Sequence, residues 1–146
     1  MEGMKDETLD YLLTLEGWCD EEKMIKLYEL VIKAWEELKD IPPLTVEFGI
    51  YAGRSLFPMA AAHKKIGKGR AIGIDAFNNE APLEGENHPD NDEFWGKKVD
   101  FKYIFNAFTK SMQREEWNGY AHYLKGKTEE FANEFMDGSI TIIHQD

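Results

Sequence analysis

Leu44, Val46 and Phe48 alternate with Thr45 and Glu47, a period of two that predicts a strand ending at Gly49. Upstream, Leu9, Leu12, Leu13 and Leu15 sit among acids over residues 6–16 and predict a short helix, broken at Gly17. Met24, Leu27, Tyr28, Val31, Ala34, Trp35 and Leu38 then recur at helical spacing. Asp20 is the expected N-cap of that helix, with Glu21 and Glu22 where the helix dipole favours acids, and Pro42-Pro43 enforces its stop. Its aromatic stripe is read as packing against a sheet. Beyond Gly53 a helix starts at Arg54 or Ser55, tolerates Pro58 near its beginning, and ends at Gly67-Lys68-Gly69. Arg70 to Asp75 is the second strand. A helix over Val99–Met112 has Phe101, Ile104, Phe105, Phe108 and Met112 as its apolar face. Tyr120 to Lys125 is a third strand, and Thr128 caps a short helix that buries Phe131, Phe135 and Met136. Ser139 to Asp146 is a fourth strand. Helices followed by alternating strands and helices give an α/β class with a mostly parallel sheet. Residues 1–40 form an N-terminal helical segment and 41–146 the sheet region, one compact domain overall.

Charge narrows the partners. The 146 residues carry a formal charge of −11, which argues against nucleic acid or an anionic membrane. No apolar run reaches the ~18 residues needed to span a bilayer, and Met1 to Asp10 is acidic and polar, unlike a signal peptide. Cys19 is the only cysteine, so no internal disulfide forms, and a cytoplasmic location is expected.

Candidate chemistry gathers at two strand ends. In Glu47-Phe48-Gly49-Ile50-Tyr51-Ala52-Gly53-Arg54-Ser55 the two glycines allow positive φ and close approach of a ligand, and the next helix offers free N–H groups. The alternative is a plain strand-to-helix connection. Neither the three-glycine dinucleotide fingerprint nor a P-loop is present. Asp75 closes the second strand 22 residues after Gly53, where a carboxylate can accept hydrogen bonds from a ribose diol. A solvated strand-end acid carries little of the core, so Asp75→Ala is expected to cost roughly 1–3 kcal/mol of ligand affinity and leave folding nearly intact. Residues 76–93 hold six acids and no lysine or arginine, and read equally as a lid or acceptor-site loop or as a solvated insertion. His88 lies among these acids, but no metal-ligand spacing accompanies it.

With these blocks in place the chain resembles class I S-adenosylmethionine-dependent methyltransferases of the small-molecule group. The resemblance is carried by Glu16-Gly17-Trp18, by Val46 to Ser55, by Gly73-Ile74-Asp75-Ala76-Phe77, more loosely by Asn91-Asp92-Glu93-Phe94-Trp95-Gly96, and by Ile142-Ile143-His144-Gln145-Asp146. It implies a Rossmann-like open parallel sheet of order 3-2-1-4, truncated from seven strands in the order 3-2-1-4-5-7-6. It implies S-adenosylmethionine as cofactor, with Glu47, Gly49 and Gly53 at its methionine end, Asp75 on the ribose, and Phe77 near the adenine or ribose. Tyr51, Ser55 and Ala76 belong to the same blocks, and Lys125 to Thr128 border the adenine. Asp146 falls beside the methyl group, as a carboxylate that removes a proton or holds a metal orienting an acceptor hydroxyl.

The family's later strands are not in this sequence. The expectation is therefore the cofactor-binding half of a longer enzyme, with a natural half-domain as the alternative, weak or inactive alone and acting when whole on a small-molecule hydroxyl or amine. Ile140 to Gln145 would form an apolar edge strand, and a homodimer through antiparallel pairing of two such edges is expected. The rival readings are an NAD- or nucleotide-binding Rossmann half-domain and a non-catalytic dimerisation module.

Overall fold

The computed structural model describes residues 3–85 and 88–145. Helices α1 (Asp6–Leu13) and α2 (Glu21–Leu38) precede β1 (Leu44–Phe48), α3 (Leu56–Ile66) and β2 (Arg70–Asp75). Then come α4 (Pro89–Glu93), a π-helical turn (Phe94–Lys98), α5 (Phe101–Ser111), β3 (Ala121–Lys125), a 3₁₀ helix (Thr128–Glu134) and β4 (Ile142–Gln145). The local signals act as expected at several boundaries. Asp20 caps α2 by accepting from the Lys23 N–H at 2.8 Å, and Gly67 ends α3 in the left-handed region at φ 69°.

Among the described residues the sheet is four-stranded, in the order β3-β2-β1-β4, with every pair parallel. This is a Rossmann-like open sheet flanked by the N-terminal helices. Glu47 aligns with Gly73 on one side and His144 on the other. α3 and α5 cover the face that carries Thr45, Gly73 and Tyr123. There His63 bonds Thr45, and the Phe108 ring meets Tyr123 at 5.4 Å. Gly73 is required on this face, because an added Cβ would lie 2.5 Å from the Ile50 side chain. The passage from β3 to β4 crosses the sheet from edge to edge. A right-handed crossover sends it over the opposite face, where Val46 and Ile74 are buried.

Several details depart from the sequence pattern, among them α4 inside the stretch read as a loop and the π-helical turn after it. The segment after Thr128 is a 3₁₀ helix, and Met136, expected in the core, is 82% exposed. The alternation along β1 does not separate core from solvent either. Thr45 and Glu47 are as buried as Val46, because each finds a histidine partner from another element. β4 is one edge of the sheet, with Ile142 buried and Ile143 61% exposed.

Candidate functional site

The carboxyl ends of β1, β2 and β3 open on one cleft of about 530 Å³, the place where open parallel sheets bind ligands. The turn after β1 supplies Gly49 to Ala52, with Arg54 and Ser55. β2 supplies Ile74, Asp75 and Ala76, and the turn after β3 supplies Gly126 to Glu129. Two loops overhang it: residues 16–19, and 80–83 from the acidic segment.

Asp75 builds this cleft. Its Oδ2 accepts the Ile50 and Tyr51 N–H groups at 2.8 and 3.0 Å, and its Oδ1 accepts the Phe77 N–H at 2.8 Å. Those bonds hold Tyr51 at φ 55° and Phe77 at φ 51°, a left-handed conformation that costs a non-glycine residue. A carboxylate has about four lone-pair sites, and three are engaged. Asp75 is therefore not the solvated strand-end acid expected, and its bonds argue against folding being indifferent to it. Asp75→Ala should destabilise the fold by about 2 kcal/mol, because partly buried amides lose their acceptors. Chemical denaturation checks this, and an unchanged midpoint would show the carboxylate to be dispensable.

The expected site residues divide. Gly49, Tyr51, Ser55, Asp75, Ala76 and Thr128 line the cleft, whereas Glu47, Gly53 and Phe77 do not. Gly49 sits at φ 84° with its N–H on the Ile74 carbonyl at 2.9 Å. Glu47 lies buried between strands with its Oε2 2.7 Å from His144 Nδ1. Gly53 is needed for packing, since a Cβ there would fall 2.3 Å from the Phe57 ring. Phe77 is a core residue, its ring 4.8 and 5.5 Å from Phe105 and Phe108. Asp146 lies outside the described residues.

Arg54 escaped the sequence reading. Its guanidinium donates to four carbonyls: Leu12 at 3.2 Å, Leu13 at 3.0 Å, Gly17 at 2.8 Å and Cys19 at 3.2 Å. It neutralises the C-terminal end of α1 and ties down the loop that carries Glu16 and Trp18 over the cleft. A cation beside a helix N-terminus, where the dipole disfavours it, was the available signal.

Aromatic rings close the rim. Trp18 approaches Tyr51 at 5.3 Å and both Phe94 and Trp95 at 5.8 Å, and Tyr51 meets Trp95 edge-on at 5.8 Å. Burial, and then the nearby Glu16 charge, pushes the Tyr51 hydroxyl above its usual pKa, so it remains a neutral donor. The acidic loop is folded by its own amides and carboxylates. Asn79 Nδ2 donates to the Trp95 and Val99 carbonyls, both at 2.8 Å, and Asp92 accepts the Glu84 and Gly85 N–H groups at 2.7 and 3.0 Å. His88 pairs with Glu84 at 3.3 Å. Among the described residues no cluster of three or more His, Cys, Asp or Glu is placed to hold a metal ion. Among them, too, no helix is long and apolar enough to cross a membrane.

No family model and no curated protein matches the sequence. Among solved structures, the chain is similar to CalS11, a calicheamicin methyltransferase, at 15% identity and a TM-score of 0.47, over 96% of this chain and 65% of that one. An apo structure of CalS11, described as a TDP-rhamnose 3'-O-methyltransferase, gives 16% and 0.42, over 96% and 64%. A cyclopropane-fatty-acyl-phospholipid synthase-like protein from Lactobacillus casei gives 11% and 0.38, over 91% and 43%. The chain thus spans less than two-thirds of the length of each. At these identities the likeness concerns the fold alone.

Proposed function

We propose that the cleft binds S-adenosylmethionine and that this chain is the donor-binding part of a methyltransferase for a small molecule. The observation that carries this reading is the convergence of three strand-end segments, the Gly49–Ser55 turn, Asp75-Ala76 and Lys127-Thr128, on one cleft of about 530 Å³. That volume suits a cofactor of this size, and the left-handed Gly49 leaves the backbone open to a ligand. When bound, S-adenosylmethionine supplies a methyl group on a sulfonium, and transfer needs in-line alignment more than chemical assistance. The protein's part is therefore to hold and orient. The Gly49–Ser55 turn takes the methionine end, and Ala76 and Thr128 border the adenine. Asp75 offers the ribose its remaining lone pair while it fixes the turn. Asp146 is proposed as the carboxylate that takes the acceptor's proton.

Isothermal titration with S-adenosylhomocysteine tests this directly, with NAD as the comparison. Saturable binding of the first alone is expected. Binding of NAD alone would replace the reading with a dinucleotide site, and binding of neither would sink it for this chain.

A further inference from the structure

A second cleft of about 520 Å³ lies against the first and shares Glu16, Gly17, Trp18 and Tyr51 with it. The Trp18 and Tyr51 rings, tilted 37° to each other, thus line both spaces. The far space is walled by four aromatic side chains: Trp18, Tyr51, Phe94 and Tyr103. Its charged groups are Glu16 and Asp100 against Lys98. Trp18 is 68% exposed and Tyr103 58% exposed, so two large rings stand open to solvent at one mouth. The π-helical turn contributes to this arrangement. It lets the adjacent Phe94 and Trp95 both reach Trp18, which successive residues of a regular helix do poorly.

Ring faces carry negative quadrupoles, and several of them around one space favour a bulky, weakly hydrated cation over a neutral group of equal shape. The two carboxylates add charge of the same preference. The net charge of −11 raises the local concentration of cations rather than anions. We propose that this second cleft binds an alkylated ammonium group on the methyl acceptor, resting for the acceptor's role on the donor reading above. The ammonium then anchors the acceptor on the far side of Trp18 and Tyr51, and the acceptor's nucleophilic group reaches past these rings into the first cleft, where in-line transfer needs it.

The test uses choline and dimethylbutanol, the neutral isostere with carbon in place of nitrogen. Binding is followed through the indole N–H resonances of the four tryptophans, with Trp18→Ala identifying its own signal. The Trp18 signal and the ring resonances of Tyr103, which lines only the second cleft, are expected to titrate with choline while the buried Trp117 stays fixed. Dimethylbutanol should bind about ten-fold more weakly, and Trp18→Ala, read on the Tyr103 ring resonances, should weaken choline about five-fold. Trp18 is exposed enough that its loss leaves the core intact. Equal binding of the two probes, a Trp18 signal indifferent to choline, or full affinity in Trp18→Ala would each overturn the assignment. S-adenosylhomocysteine titrated in parallel separates the two readings. Choline binding without it leaves an ammonium site and removes the donor, and the reverse removes only the ammonium site.

Discussion

Arg54→Ala is expected to lower stability by about 4 kcal/mol, among the largest effects of any single side chain here. Each of the four guanidinium–carbonyl bonds is charge-assisted, a type worth about 1.5–3 kcal/mol, and the bonds are not additive because they share one group. Two of the acceptors, Leu12 and Leu13, are the last residues of α1, whose last turn carries no basic residue of its own. Without Arg54 those carbonyls lose the charge that complements the helix dipole. The other two, Gly17 and Cys19, flank Trp18. Gly17 also lies over the Arg54 stem, where an added Cβ would be 3.1 Å from Cδ. The loop should therefore detach along with the helix end, and the tryptophan emission from Trp18 should shift to the red. Arg54→Lys is expected to recover little, since one ammonium with three donors cannot span the four carbonyls that the planar fork reaches. Chemical denaturation of the two variants settles the point. A Lys variant as stable as the parent would mean that charge alone, and not the fork, holds the loop.

The second large effect is in pH. His63 is fully buried near the end of α3. Its Nδ1 lies 3.0 Å from the Lys68 carbonyl, which can only accept, so Nδ1 carries the proton. Nε2, 2.9 Å from Thr45 Oγ1, then accepts from the hydroxyl. Burial pushes its pKa down from 6.5 to about 4, against a smaller upward pull from the Lys68 carbonyl. Between those values the unfolded chain binds the proton and the folded chain does not, so stability rises with pH. The contribution is complete above about 6.5 and is lost as pH falls through about 4. At about 1.4 kcal/mol per pH unit the loss amounts to about 3 kcal/mol. Carboxylates titrate at the lower end of the same range, so the comparison is with His63→Gln. That variant should be less stable at neutral pH and should lack most of the fall between about 6.5 and 4.5. Parallel stability curves for the two proteins would show that His63 does not drive acid unfolding.

Both effects rest on side chains whose partners are distant in sequence, and the same holds across the candidate site. The alternation of Leu44 to Phe48 announced a strand, and Arg70 to Asp75 is the second strand residue for residue. Nothing in that alternation says that Thr45 and Glu47 are both buried. The reason is His63 on α3 and His144 on β4, 18 and 97 residues further on. Gly53 was legible as a position that needs glycine, but the group that crowds it was not: an added Cβ would meet the Phe57 ring. Phe77 followed the acid in a motif that placed it by the cofactor, yet α5 brings Phe105 and Phe108 against it and takes it into the core. Adjacent aromatics such as Phe94 and Trp95 fit no single helical face, and that mismatch was the one local trace of the π turn.

The sequence by itself determined the order of the strands and of the longer helices, the caps of α2 and α3, the parallel α/β class and two of the three strand ends where the cleft forms. These depend on side-chain period and on the backbone freedom of glycine, proline and short polar residues, which act within a few positions. Only the tertiary structure decided what the polar groups at those ends do. Asp75 became the clamp of the Gly49–Ser55 turn, and Arg54 the fastener of the Trp18 loop, because the packed chain brings backbone groups 24 to 42 residues away within hydrogen-bond reach. A carboxylate or guanidinium takes whichever donors or acceptors the fold leaves uncovered, and that inventory exists only once the chain is packed.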